Sequence, residues 1–263
     1  MIEAYKQYLA GKPVILWRGP SALDSSRQAV AVLKRTTTNR KTGPCHQLAI
    51  FDAGQAQNGH VGAGCVNCPL SDVCYVRGPQ RWNLVDLHGE LDSLPVVPRS
   101  QWHKFIYDFD RLGEYGDPGA LPDKVIKPII RFSRGHVGYT HFFRERPTLA
   151  GLLQASCETW QDVLDARALG FKVYYVVRLA GRPIQGRTFE DDQADSMLLR
   201  RYMGKAGITG AVVCPYYSSG KTCLECKLCN GSKVDVIAPA HGFSANKYPG
   251  DWIDGDSLQL IIR

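Results

Sequence analysis

Seven of the nine cysteines fall into two groups: Cys65, Cys68 and Cys74, then Cys214, Cys223, Cys226 and Cys229. Thiolates at such short spacings are the usual means of holding a metal, and a metalloprotein is the first expectation. In the second group three cysteines stand two residues apart, with Cys214 further upstream, a spacing that allows four thiolates to converge on one centre. Zinc ribbons present two Cys-x2-Cys knuckles, whereas a run of three cysteines at x2 spacing is typical of cubane iron–sulfur ligation. The expected cofactor is therefore an iron–sulfur cluster, [4Fe–4S] by spacing, with Zn2+ as the alternative.

The first group, Cys65-x2-Cys68-x5-Cys74, supplies three thiolates. Its rhythm resembles the tail of the ligand run in iron–sulfur DNA glycosylases, but the run's first cysteine is replaced here by Asn58. Cys45, His46, His60 or Cys157 would complete it, or the position stays open to solvent or substrate, which is where chemistry would occur. A disulfide scaffold is the competing explanation. It suits short secreted chains, and the opening residues from Met1 to Lys6 show no charged, then apolar, signal pattern. Cys157 is expected to be packing.

The elements that must position these groups read as strands alternating with helices. Strands are expected at Val14 to Trp17, Gln47 to Phe51, Arg111 to Leu112, His136 to Thr140, Val173 to Val177, Ala211 to Cys214 and Val234 to Ala238. Helices are expected around Ser25 to Lys34, after Pro122, from Thr159 to a stop at Gly170, and from about Asp191. The apolar faces would be Trp160, Val163, Leu164 and Ala168 in the third and Ala194, Met197, Leu198 and Tyr202 in the fourth. This alternation predicts an α/β fold, a complete or partial (β/α) barrel with cysteine-rich metal-binding loops, with an open doubly wound sheet as the alternative. The chain reads as a single domain over 1–263. Within it lie an N-terminal part (1–104) with the first cysteine loop, a regular part (105–243) with the second, and a C-terminal extension (244–263).

In either architecture the binding groups collect at the carboxyl ends of strands. Glu114, Asp117 and His141 are placed there as candidates for proton transfer, and Arg178 and His241 as cofactor-binding candidates. Asp117-Pro118 equally suits a turn, His141 a strand cap and Arg178 a surface ion pair. The densest basic stretch, residues 34–43, contains Lys34, Arg35, Arg40 and Lys41 among hydroxyls and suggests a phosphate or nucleic-acid contact; a solvated turn is the plainer alternative. The net charge of +7 permits a nucleotide or nucleic-acid partner without requiring one. No apolar run approaches the roughly 20 residues of a membrane span, and a cytoplasmic protein with reduced thiols is expected.

Four stretches together resemble a family of phage and bacterial proteins with no assigned activity. They are Asn39-Arg40-Lys41-Thr42-Gly43, Cys65-x2-Cys68 with Cys74-Tyr75-Val76, Gly138-Tyr139-Thr140-His141, and the cysteine loop from Cys214-Pro215 to Gly231. The resemblance spans residues 13–242 and implies a cytoplasmic protein, in the host cytoplasm if phage-encoded, and no particular reaction. Radical enzymes using S-adenosylmethionine are similar in outline, pairing a (β/α) barrel with three cysteines, although their Cys-x3-Cys-x2-Cys spacing does not occur in this chain. Two functions follow as expectations: an iron–sulfur enzyme acting on a nucleotide or nucleic-acid-related substrate, or a non-catalytic nucleic-acid-binding protein with structural zinc.

Overall fold

A computed structural model of the chain describes residues 2–35, 39–54, 62–74, 81–106, 108–180, 188–240, 247–255 and 257–261. Helix α1 (Ile2–Leu9) precedes three antiparallel strands, β1 (Val14–Pro20), β2 (Gln28–Lys34) and β3 (His46–Asp52). Helices α2 (Arg81–Gly89) and α3 (Trp102–Phe105) lead to β4 (Phe109–Leu112), α4 (Asp123–Phe132), β5 (Gly135–Thr140), β6 (Gln154–Cys157), α5 (Trp160–Ala168) and β7 (Val173–Leu179). Then follow α6 (Phe189–Lys205), β8 (Ala211–Val213), α7 (Pro215–Ser219), α8 (Cys223–Cys226), β9 (Asp235–Pro239), β10 (Trp252–Ile253) and β11 (Leu260–Ile261). From β3 to β7 neighbours in sequence are neighbours in the sheet and run parallel; β9 then pairs with β7, and β8 lies outside β9. The fold is thus α/β with a mixed, largely parallel sheet. Among the described residues no pairing joins β8 to β1.

Because side chains alternate along a strand, each strand contributes to two cores. Leu48 and Ile50 of β3, Leu112 of β4, Val173, Tyr175 and Val177 of β7 and Ile237 of β9 face one way. Val125, Ile126 and Ile129 of α4, Val163 and Ala166 of α5 and Leu199 of α6 pack on that side. On the other side, Ala49 and Phe51 meet Leu84 and Leu87 of α2 together with Cys65 and Cys74. Further along the same side, Val137, Tyr139, Tyr174, Val236 and Ala238 meet Cys214, Cys223 and Cys229. A parallel sheet must be covered on both faces. Here α4–α6 cover one, and the cysteine loops with α2 cover much of the other.

Three expectations are corrected. The stretch expected as a helix around Ser25 to Lys34 is strand β2, preceded by a turn in which Ser26 N–H donates to Asp24 Oδ1 (3.0 Å). Ala29 to Leu33 are all buried, a run with no 3.6-residue period, as a strand sandwiched between two cores requires. On α5 the buried positions are Val163 and Ala166, while Leu164 is 46% exposed. On α6 they are Asp195, Ser196, Leu199, Tyr202 and Met203, while Met197 is 60% exposed. Packing geometry, and not hydrophobicity alone, chose those faces. The C-terminal extension is stitched into the fold, since β10 joins β7 beyond its last pairing with β6.

Candidate metal and proton-transfer site

Both cysteine groups lie on the sheet face that α4–α6 leave free, and each is held by backbone contacts that explain its local sequence. The second group begins where β8 ends: Cys214 N–H donates to Ile237 O (2.9 Å), and Pro215 starts α7, which closes at Gly220 with φ +70°. Thr222 and Glu225 form a reciprocal capping box that starts the short helix carrying Cys223 and Cys226. Lys227, in the left-handed region at φ +53°, then turns the chain so that Cys229 comes back against β5, where its carbonyl accepts from Gly138 N–H (3.1 Å). The basic loop clamps this segment, since Lys41 O and Thr42 O accept from Cys223 N–H (2.9 Å) and Leu224 N–H (3.1 Å).

Cys214, Cys223, Cys226 and Cys229 line one cavity of about 10 Å³ with Val137 and Tyr139. Burial pushes the thiols of Cys229, Cys223 and Cys226 up, and the charge of neighbouring sulfurs pushes the same way. Burial likewise raises Tyr139, whose hydroxyl hydrogen-bonds Cys229. Beside them the Lys41 ammonium donates to Tyr174 OH (3.1 Å) and Tyr217 OH (3.0 Å) and lies 4.7 Å from the Tyr217 ring centroid. Burial disfavours that charge, but Tyr174, Tyr217 and Cys214 outweigh it and hold Lys41 well above the usual lysine range.

The first group is anchored at its start. Asp117 N–H donates to Gly64 O (2.8 Å), and Ser21 Oγ donates to Ala63 O (2.7 Å). The approach is so close that a Cβ on Gly116 would meet Ile50 O at 1.8 Å, and one on Gly64 the same carbonyl at 2.8 Å. Cys65 and Cys68 share a hydrogen bond that, together with burial, raises the Cys65 thiol. The same bond lowers Cys68 to about 6, against burial and with help from His141. His141 Nδ1 lies 3.5 Å from Asp117 Oδ2, and Nε2 3.2 Å from Glu158 Oε1. Burial opposes the imidazolium, yet Glu158, Asp117 and Cys68 hold His141 well above its ordinary value.

Of the residues expected to handle protons, Asp117 and His141 therefore meet each other, and the Asp117 backbone meets the start of the first cysteine loop at Gly64. Asp117 also closes its own turn by accepting from Gly119 N–H and His141 N–H, each at 2.7 Å. Glu114 is paired with Lys34 Nζ (2.6 Å). Arg178 stacks over Trp252 at 5.1 Å, and His241 lies outside the described residues. In the basic stretch Arg35 donates to Leu9 O, Arg40 is exposed, and Lys41 is turned inward. Among the fourth-ligand candidates, Cys45 sits with the second group near Cys223, its thiol pushed up to about 11 chiefly by burial. His46 pairs with Asp110 (3.3 Å), Cys157 lies in the core beneath the helices, and His60 is outside the described residues.

Among the described residues no three His, Cys, Asp or Glu side chains stand together at metal-holding distance. The sulfurs instead make hydrogen bonds within the protein, Cys65 with Cys68 and Cys229 with the Tyr139 hydroxyl. The donor set of the second group fits a tetrathiolate metal centre. No protein family, curated protein or solved structure matches the chain. No described helix is long and apolar enough to cross a membrane.

Proposed function

We propose that the chain is a cysteine-ligated metal protein, an iron–sulfur enzyme acting on a nucleotide or nucleic-acid-related substrate. Cys214, Cys223, Cys226 and Cys229 would hold the cluster, and the strand succession would curve as a partial (β/α) barrel with both cysteine groups on its inner face. The observation that carries this reading is the convergence of four thiols on one cavity, beside the Tyr139 hydroxyl and the Lys41 ammonium. Such a cluster, when bound, supplies one-electron transfer. The chain's own part is to donate a hydrogen bond to Cys229 from Tyr139 and to place positive charge near Cys214, both of which favour thiolate over thiol. His141, Asp117 and Glu158 form a proton-transfer group at the end of β5. A reducing compartment such as the cytoplasm suits a chain with nine cysteines grouped at metal-ligand spacing. The net charge of +7 and the exposed Arg40 support the nucleic-acid clause.

A second reading is structural zinc held by the same thiols in a binding protein. The two separate in one preparation: purify the chain without oxygen and measure iron, acid-labile sulfide, zinc and the visible spectrum. Brown protein with about four irons and four sulfides per chain, lost in Cys226→Ala, supports the cluster. Colourless protein with stoichiometric zinc refutes it, and single-stranded DNA titrations at two salt concentrations then test the binding reading.

A further inference from the structure

We infer that the cleft between α6 and the second cysteine loop, on the outer side of strand β8, binds a nucleoside phosphate, with Arg200 and Lys221 holding the phosphate. The ligand class rests on the nucleotide reading above; the cleft and its residues do not depend on which metal the cysteines hold.

Three observations carry it. The first is shape. The cleft has a volume of about 720 Å³, within the range of about 300–1,000 Å³ that small-molecule sites occupy. Met203, Ile208, Val213 and Leu228 line it with apolar side chains on which a planar base can lie. The second is charge. Arg200 and Lys221 line the same cleft, both are exposed, and neither is in an ion pair among the described residues. No acidic side chain is among the described residues that line it. Two cations without a counter-charge attract an anion, and a guanidinium beside an ammonium suits phosphate, the one by its fork of N–H donors and the other as a point charge. The third is the remaining hydrogen-bonding capacity. Ser218 Oγ and Ser219 Oγ donate to Pro215 O (3.4 and 2.9 Å), so their oxygens keep lone pairs to accept from ribose hydroxyls. Among the described residues β8 pairs with β9 alone, and all three of its residues line the cleft. The outer edge of such a strand carries backbone N–H and C=O groups that can meet the edge of a base. Apolar surface, hydroxyl acceptors and cations side by side match base, sugar and phosphate.

The place also suits the proposed chemistry. Pro215, Lys221 and Leu228 line both this cleft and the cavity on which the four thiols of the second group converge, so the same side chains form the wall between them. Lys221 sits between Gly220, where α7 closes, and Thr222, which caps the short helix of Cys223 and Cys226. A phosphate on Lys221 is thereby attached to the segment that positions two of the thiols.

The test titrates the full chain, purified without oxygen, with AMP, GMP, CMP and UMP, with the matching nucleosides and with inorganic phosphate, by isothermal titration calorimetry. Iron, sulfide and zinc are measured on each preparation. The best-bound monophosphate should bind at least about ten-fold more tightly than its nucleoside or than inorganic phosphate, since each of these lacks one half of the complement. Arg200→Glu and Lys221→Glu, both at exposed positions, should each weaken that monophosphate about ten-fold or more and leave the nucleoside unchanged. Ile208→Trp, which fills the apolar side of the cleft, should weaken both. Monophosphate binding unchanged in all three variants overturns the cleft and leaves the nucleotide reading in place. Absence of binding by any of the four to wild type overturns the inference, while iron and sulfide content still decides the cluster. Binding that the variants weaken, in protein without iron or sulfide, upholds the cleft and refutes the cluster, so the two failures are distinguishable.

Discussion

Lys41 shows how far a side chain's role depends on what surrounds it. In sequence it belongs to a cationic stretch and suggests phosphate. In the structure its ammonium is enclosed by Tyr174 and Tyr217, and its carbonyl holds the cysteine loop. Lys41→Met keeps the stem and removes two hydrogen bonds and the cation–ring contacts, which predicts a loss of about 1–3 kcal/mol. Equilibrium urea unfolding measures it, and a change within about 0.5 kcal/mol would place Lys41 among surface residues. Glu158, Tyr139 and Tyr217 escaped the sequence reading because none lies in a spacing pattern of its own.

Helix α5 is the element whose sequence was most explicit. Thr159 Oγ1 accepts from Asp162 N–H, and the Asp162 carboxylate accepts from Thr159 N–H (3.0 Å), a reciprocal cap where the sequence places the start of the helix. Burial pushes the Asp162 carboxyl up, but Arg144 at 2.7 Å and the Thr159 contacts outweigh it and hold it below the usual value. A carboxyl depressed in the folded state stabilises above its unfolded pKa, and that stability is lost as pH falls through the folded pKa. Asp162→Asn should therefore cost about 1 kcal/mol at neutral pH and converge with wild type in strong acid. Thermal unfolding between pH 2 and 7 checks this, and a pH-independent difference would remove the charge from the explanation. Strand β2 was misread for the opposite reason: local propensity is a weak guide where two cores bury every side chain.

Across the whole molecule the division of labour is by face. Helices α4–α6 cover one side of the sheet with apolar side chains, whereas the other side depends on loops rich in cysteine, glycine and tyrosine. Loops bury less apolar area than helices do, so metal at the cysteine groups is expected to contribute strongly to stability. Stripping metal with a chelator should lower Tm by several degrees or more and increase proteolysis between residues 214 and 231. An unchanged Tm in fully stripped protein would show that the loops hold themselves.

The residue types, their spacing and the alternation of strands and helices were determined by the sequence alone, because thiol chemistry, capping and strand periodicity are local properties. The membership of each site was decided only by the tertiary structure. Parallel strands bring together residues far apart in the chain, so Gly64 meets Asp117, Lys41 meets Tyr217, and Cys45 falls to the second group and not the first. Register across β3–β9 sets those meetings, and a register is a property of pairs of strands that no single stretch of sequence contains.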